Sequence, residues 1–194
     1  MNTETFWNVI ASYNEKTYVI QVVFTILLVT TIAFAYLSKY KFIPKVVLGI
    51  VNIYIAIVYF GFYGDEPIQT YFALPLYLVI GILFLYESIR NKYDTLKKPN
   101  LFQCFLMFLF IIYPFVSIFL GNSFPNMVTY IMPCPIISLS IVVYSCYNIK
   151  NKLLLFLLTL WGITGIKSFM FSVYEDIILL ICGVYGIFLL FKKE

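Results

Sequence analysis

The chain contains no histidine among its 194 residues, and only 11% of them are charged. The side chain that titrates nearest neutrality, and the commonest metal ligand, is therefore missing. Four cysteines are present, Cys104, Cys134, Cys146 and Cys182, but each falls inside an apolar run and none forms a CxxC pair. That spacing excludes a disulfide framework and a structural zinc site, so no metal and no other cofactor is expected. No nucleotide loop, HExxH or GxSxG motif occurs. No basic run interleaved with aromatics accompanies the net charge of +4, which removes nucleic acid from the expected partners. No basic segment precedes the first apolar run and no small-residue cleavage site follows it, so no removable signal peptide is expected.

What the chain does have is apolar length. It is 62% hydrophobic and 20% aromatic, with a mean hydropathy of +0.95. A soluble domain is about 45–50% apolar and about 25% charged. The excess is too large for one buried core and fits a chain whose solvent is lipid, the one partner the composition names. Seven apolar runs approach the about 20 residues that a helix needs to cross a bilayer. They cover 18–38, 43–63, 69–88, 101–119, 128–147, 153–172 and 177–191. The runs are continuous and do not alternate, which argues for helices over a β-barrel. The expectation is an all-α, polytopic bundle of seven transmembrane helices over 18–194. Residues 1–17 should precede it as an amphipathic segment in the outer interface, with Phe6, Val9 and Ile10 on one face.

The charges set an orientation. Eleven of the thirteen basic residues and three of the nine acidic ones fall on the connectors of one side, a net of +8. The other side carries two basic and six acidic residues, a net of −4. The positive-inside rule then puts the N-terminus outside and the C-terminus in the cytosol of a cytoplasmic membrane.

Polar residues and prolines share one depth. Counting from the basic ends of the runs, Gln21, Pro75, Pro114, Cys134, Lys167, Glu175 and Asp176 all fall roughly 21–27 Å from the cytosolic surface. Charges there are expensive, and irregular backbone is tolerated only inside protein or along a watery cavity. The reading is a polar pocket open to the outside. Pro133 and Pro135 would break its fifth helix, and Lys167 would pair with Glu175 or Asp176. Alternatively, Lys167 reaches the outer headgroups and the two acids cap the seventh helix. Cys134, with no second thiol nearby, is a poor metal ligand and fits an apolar filler.

Three stretches, "ASYNEKTYVIQ", "YPFVSIFLGNSFPNMVTYIMPCPIISLSI" and "LLTLWGITGIKSFMFSVYEDIILL", occur in that order. Together they resemble an uncharacterised, domain-of-unknown-function family of seven-helix prokaryotic membrane proteins. Its marks are a Tyr-Asn near the start, a Tyr-Pro followed by Gly-x-x-x-Pro, a Pro-Cys-Pro, a Trp-rich sixth span and a Glu-Asp. The resemblance implies an integral membrane protein, and it adds Tyr13, Asn14, Tyr113, Gly121, Pro125 and Trp161 to the candidate set. Where the family pattern often has a histidine after the glycine, this chain has Asn122. Three functions follow as expectations. The first is a carrier for a small polar or cationic solute, held by Gln21, Tyr113, Asn122, Cys134, Lys167, Glu175 and Asp176. Pro75, Pro114, Pro133, Pro135 and Trp161 would shape that site. The second is a non-catalytic partner, an assembly or immunity subunit. The third is a thiol enzyme built on Cys134, and it is the least supported because no histidine base is available.

Overall fold

A computed structural model describes residues 3–171 and 173–192. These residues form seven helices, one for each apolar run. They are α1 (Thr3–Leu37), α2 (Ile43–Phe62), α3 (Gln69–Arg90), α4 (Leu101–Phe119), α5 (Pro133–Ser145), α6 (152–171) and α7 (Ile177–Phe191). The described chain is thus all-helical, with five helices long and apolar enough to cross a membrane.

The first difference from expectation lies in α1. The segment expected to lie apart in the interface continues without a break into the first span, giving a helix of 35 residues. Such a helix is about 52 Å long, well beyond the about 30 Å of a hydrocarbon core. Its first turns bury Val9, Ile10, Tyr13 and Asn14 against the protein, while Val19, Val23 and Ile26 further along remain exposed. The amphipathic face of residues 4–14 is therefore a packing face.

The second difference lies in α5, expected over 128–147. Its helix begins only at Pro133 and has 13 residues, about 20 Å. Met132 is extended (φ −122°, ψ 163°), as a residue before proline prefers to be. Pro133 and Pro135 occupy the first turn, where a missing N–H removes no helical bond. They start the helix, so the expectation that they interrupt one is corrected. Pro75 lies within α3, in the first α-helical turn after the π-helical segment Gln69–Ala73, and Pro114 lies inside α4. Twelve of the α5 residues are buried, which makes α5 the central helix, packed by α2, α4, α6 and α7.

The missing length is replaced by irregular backbone between Leu120 and Met132. Gly121 takes φ +95° at its start, a conformation that glycine adopts without strain. The peptide before Pro125 is cis. The stretch is tied to α1 by side chains. Tyr13 donates its hydroxyl to the Ile131 carbonyl (2.6 Å), and the Asn14 amide donates to the carbonyls of Pro125 (2.7 Å) and Met127 (2.8 Å). Gln21 donates to Asn14 (3.1 Å) and Thr17 (2.9 Å), and Thr129 donates to Gln21 (2.6 Å). Carbonyls that a helix would satisfy internally thus find donors on α1, the condition for irregular backbone away from water.

Close helix contact is bought by small residues. A Cβ on Gly183 of α7 would stand 2.5 Å from the backbone of Gly162 on α6, so only glycine permits this approach. At the lysine-rich end, Lys45 is fully buried. Its ammonium lies 3.1 Å from Asp94 and 4.0 Å from Glu87. It also sits 4.2 Å from the centroid of the Tyr147 ring. Asp94 further accepts the backbone N–H groups of Thr95 (2.8 Å) and Ile149 (3.1 Å), and Glu87 accepts from Asn91 and Asn151. This cluster joins α2, α3 and the connectors that follow α3 and α5.

Candidate functional site

A cavity of about 330 Å³ opens among the N-terminal ends of α1, α3, α5 and α7 and the C-terminal ends of α2 and α6. Its size is within the range of small-molecule sites, about 300–1,000 Å³. Pro133, Cys134 and Pro135 contribute from α5, Trp161, Thr164 and Lys167 from α6, and Asp176 from the turn before α7. Six of the residues read from the sequence, Pro133, Cys134, Pro135, Trp161, Lys167 and Asp176, are thus brought to one hollow.

Local geometry explains how they arrive there. α6 tightens into a 3₁₀ turn over Thr164–Lys167, which carries Lys167 toward the rim. The chain then reverses within a few residues, and a second 3₁₀ turn, Tyr174–Asp176, presents the two acids. Neither acid caps α7: Asp176 occupies the N-cap position without a side-chain bond to the helix. Both turn inward instead. Asp176 accepts the Tyr113 hydroxyl at 2.6 Å and faces the Cys134 thiol. Glu175 is buried and accepts the Asn122 amide at 2.9 Å, while its second carboxyl oxygen has no hydrogen-bond partner among the described residues. The expected pairing of Lys167 with either acid is absent. Among the described residues Lys167 makes no ion pair, and it is exposed. Each acid has a neutral partner instead, Tyr113 for Asp176 and Asn122 for Glu175.

The remaining residues read from the sequence divide into supports and outsiders. Tyr113 and Asn122 stand behind the acids. Gln21 is not at the cavity; it belongs to the clamp between α1 and residues 125–131. α1 turns it toward that loop. Pro114 is buried and Pro75 exposed, and neither lines the hollow.

The sequence reading missed the opposite wall. Phe6 and Ile10 of α1, Tyr59 and Phe60 of α2, and Gln69, Phe72 and Ala73 of α3 complete it, with Glu66 from the α2–α3 connection. The wall residues of α2 and α3 lie on π-helical segments, Ile55–Phe62 and Gln69–Ala73. Such wide turns shift the register of a helix and recur at functional sites. No residue pattern announces them. At the floor, Trp161 meets Phe60 (5.6 Å) and Tyr77 (5.0 Å) edge-on, and Tyr77 donates its hydroxyl to the Pro133 carbonyl at 2.8 Å.

Chemically the site is an aromatic hollow with one carboxyl, one thiol and one ammonium on its lining, plus a second acid at Glu66. No group of three or more metal-binding side chains occurs among the described residues. The arrangement can hold a small molecule, and the carboxyl that faces the Cys134 thiol is that of Asp176. No curated protein and no solved structure matches the chain. A family model does, over residues 3–194, and on that match the protein belongs to the family of unknown function DUF6064.

Proposed function

We propose that this is a multi-pass protein of the cytoplasmic membrane, N-terminus outside and C-terminus in the cytosol, that takes a small solute from the outside and carries it inward. The observation that supports the reading is the cavity itself: Cys134, Lys167 and Asp176, from three separate segments, line one hollow beside an aromatic wall. Solute sites in carriers are commonly built where helices end or unwind within the membrane. Here α5 starts late, α6 tightens and α2 and α3 widen around the same space. The charge bias of the connectors puts that opening outside. The Lys45 cluster then closes the cytosolic end, which makes this an outward-open form.

Cysteine labelling tests the placement. In cells or right-side-out vesicles, Lys167→Cys should react with a membrane-impermeant maleimide, and Glu175→Cys, buried, should not. Equal labelling of both, or labelling of Lys167→Cys only after permeabilisation, would overturn the proposal. Proteoliposomes should then accumulate a labelled solute, and Trp161→Ala should lower that uptake at least tenfold.

A further inference from the structure

We propose that the cavity recognises a small zwitterion, one ammonium and one carboxylate carried on an apolar body. The inference rests on the solute-binding reading above and names the class of solute.

Two opposite charges line the hollow and do not neutralise each other. Asp176 is held at its place by the Tyr113 hydroxyl at 2.6 Å, so its carboxyl cannot swing toward Lys167 without losing that bond. Lys167 makes no ion pair among the described residues, although it lines the same cavity. A built hollow lined by an acid and a base that make no ion pair with each other, neither having a counter-ion among the described residues, is completed by a ligand that brings both. An amine alone would meet Asp176 and leave its own charge beside Lys167. A carboxylate alone would meet Lys167 and stand against Asp176. Groups left unpaired in a desolvated site reject the incomplete ligand.

The rest of the wall fits the body of such a molecule. Tyr59, Phe60, Phe72 and Trp161 give apolar faces, and aromatic faces near Asp176 also attract an ammonium. A quaternary ammonium ion is the competing ligand that these rings alone would favour. Lys167 argues against it, since that charge would then face the cation with nothing between them.

The experiment uses the full chain in lipid nanodiscs in a Trp7→Phe background, which leaves Trp161 as the sole tryptophan. Its emission is titrated with leucine, with 3-methylbutylamine, with 4-methylpentanoate and with tetramethylammonium. The first three share one apolar body and differ only in the charged ends. Leucine should bind at least tenfold more tightly than each of the others. Lys167→Gln should bring leucine down to the level of the amine, and Asp176→Asn should bring it down to that of the carboxylate. Both variants should elute as the parent on size exclusion, because Lys167 is exposed and an asparagine can still accept from Tyr113. If the amine or tetramethylammonium binds as tightly as leucine, the zwitterion inference falls and the solute-cavity reading stands. If none of the four is bound, the inference falls as well, and the cavity reading is decided by the cysteine labelling.

Discussion

Replacing Lys45 with methionine removes the only ammonium from the buried cluster and keeps the side-chain length. Lys45 is fully buried, with its charge 3.1 Å from Asp94 and 4.0 Å from Glu87, side chains that are 2% and 4% exposed. Removing one member of a buried pair leaves an uncompensated charge and costs about 3–5 kcal/mol. The low end applies here. Asp94 keeps two backbone donors, from Thr95 and Ile149, and Glu87 keeps the amides of Asn91 and Asn151. The lost contact of the ammonium with the Tyr147 ring, 4.2 Å from its centroid, adds about 1 kcal/mol. The expected loss is thus about 3–4 kcal/mol, or roughly 10 °C in apparent melting temperature. Adding Asp94→Asn to Lys45→Met should restore roughly half, because the neutral amide no longer needs the ammonium. The assay is thermal unfolding in detergent, scored by retention of a monodisperse peak. A Lys45→Met protein within about 1 kcal/mol of the parent would refute the reasoning. So would a double variant no more stable than the single one.

Three further outcomes are expected. Asn14→Ala removes the donor to the Pro125 and Met127 carbonyls, at a cost of about 2–3 kcal/mol, and hydrogen exchange should speed up in residues 120–132 before any helix core. Gly183→Ala forces α6 and α7 apart, since its Cβ would lie 2.5 Å from the Gly162 backbone; denaturant midpoints should report a loss of about 1–3 kcal/mol, while an alanine at exposed Val184 should report almost none. Tyr113→Phe removes the hydroxyl that holds Asp176, so leucine affinity in the nanodisc titration should fall several-fold with a stability loss of about 1–2 kcal/mol.

The family marks acquire physical roles in this arrangement. Tyr13 and Asn14 hold the stretch that contains Pro125, and Pro133 and Pro135 start the short central helix. Tyr113 positions Asp176. Asn122, where the resembling pattern often carries histidine, supplies the amide that Glu175 accepts.

Hydropathy and charge alone determined the seven helices. α4 and α7 match their runs residue for residue, and α2 differs by one, because backbone groups without water must pair within their own segment. Depth counting also brought Cys134, Lys167 and Asp176 to one level, since helix rise is fixed. Level is not azimuth, however. Gln21 lies at that depth and turns to a different neighbour, and Lys167 stands beside Asp176 without pairing to it. Where a helix starts late, widens or tightens, as at Pro133, Ile55–Phe62 and Thr164–Lys167, was decided by partners distant in the chain. A hydrogen bond from Asn14 to residue 125 is worth making only once the fold has brought the two together, and a local pattern holds no record of it.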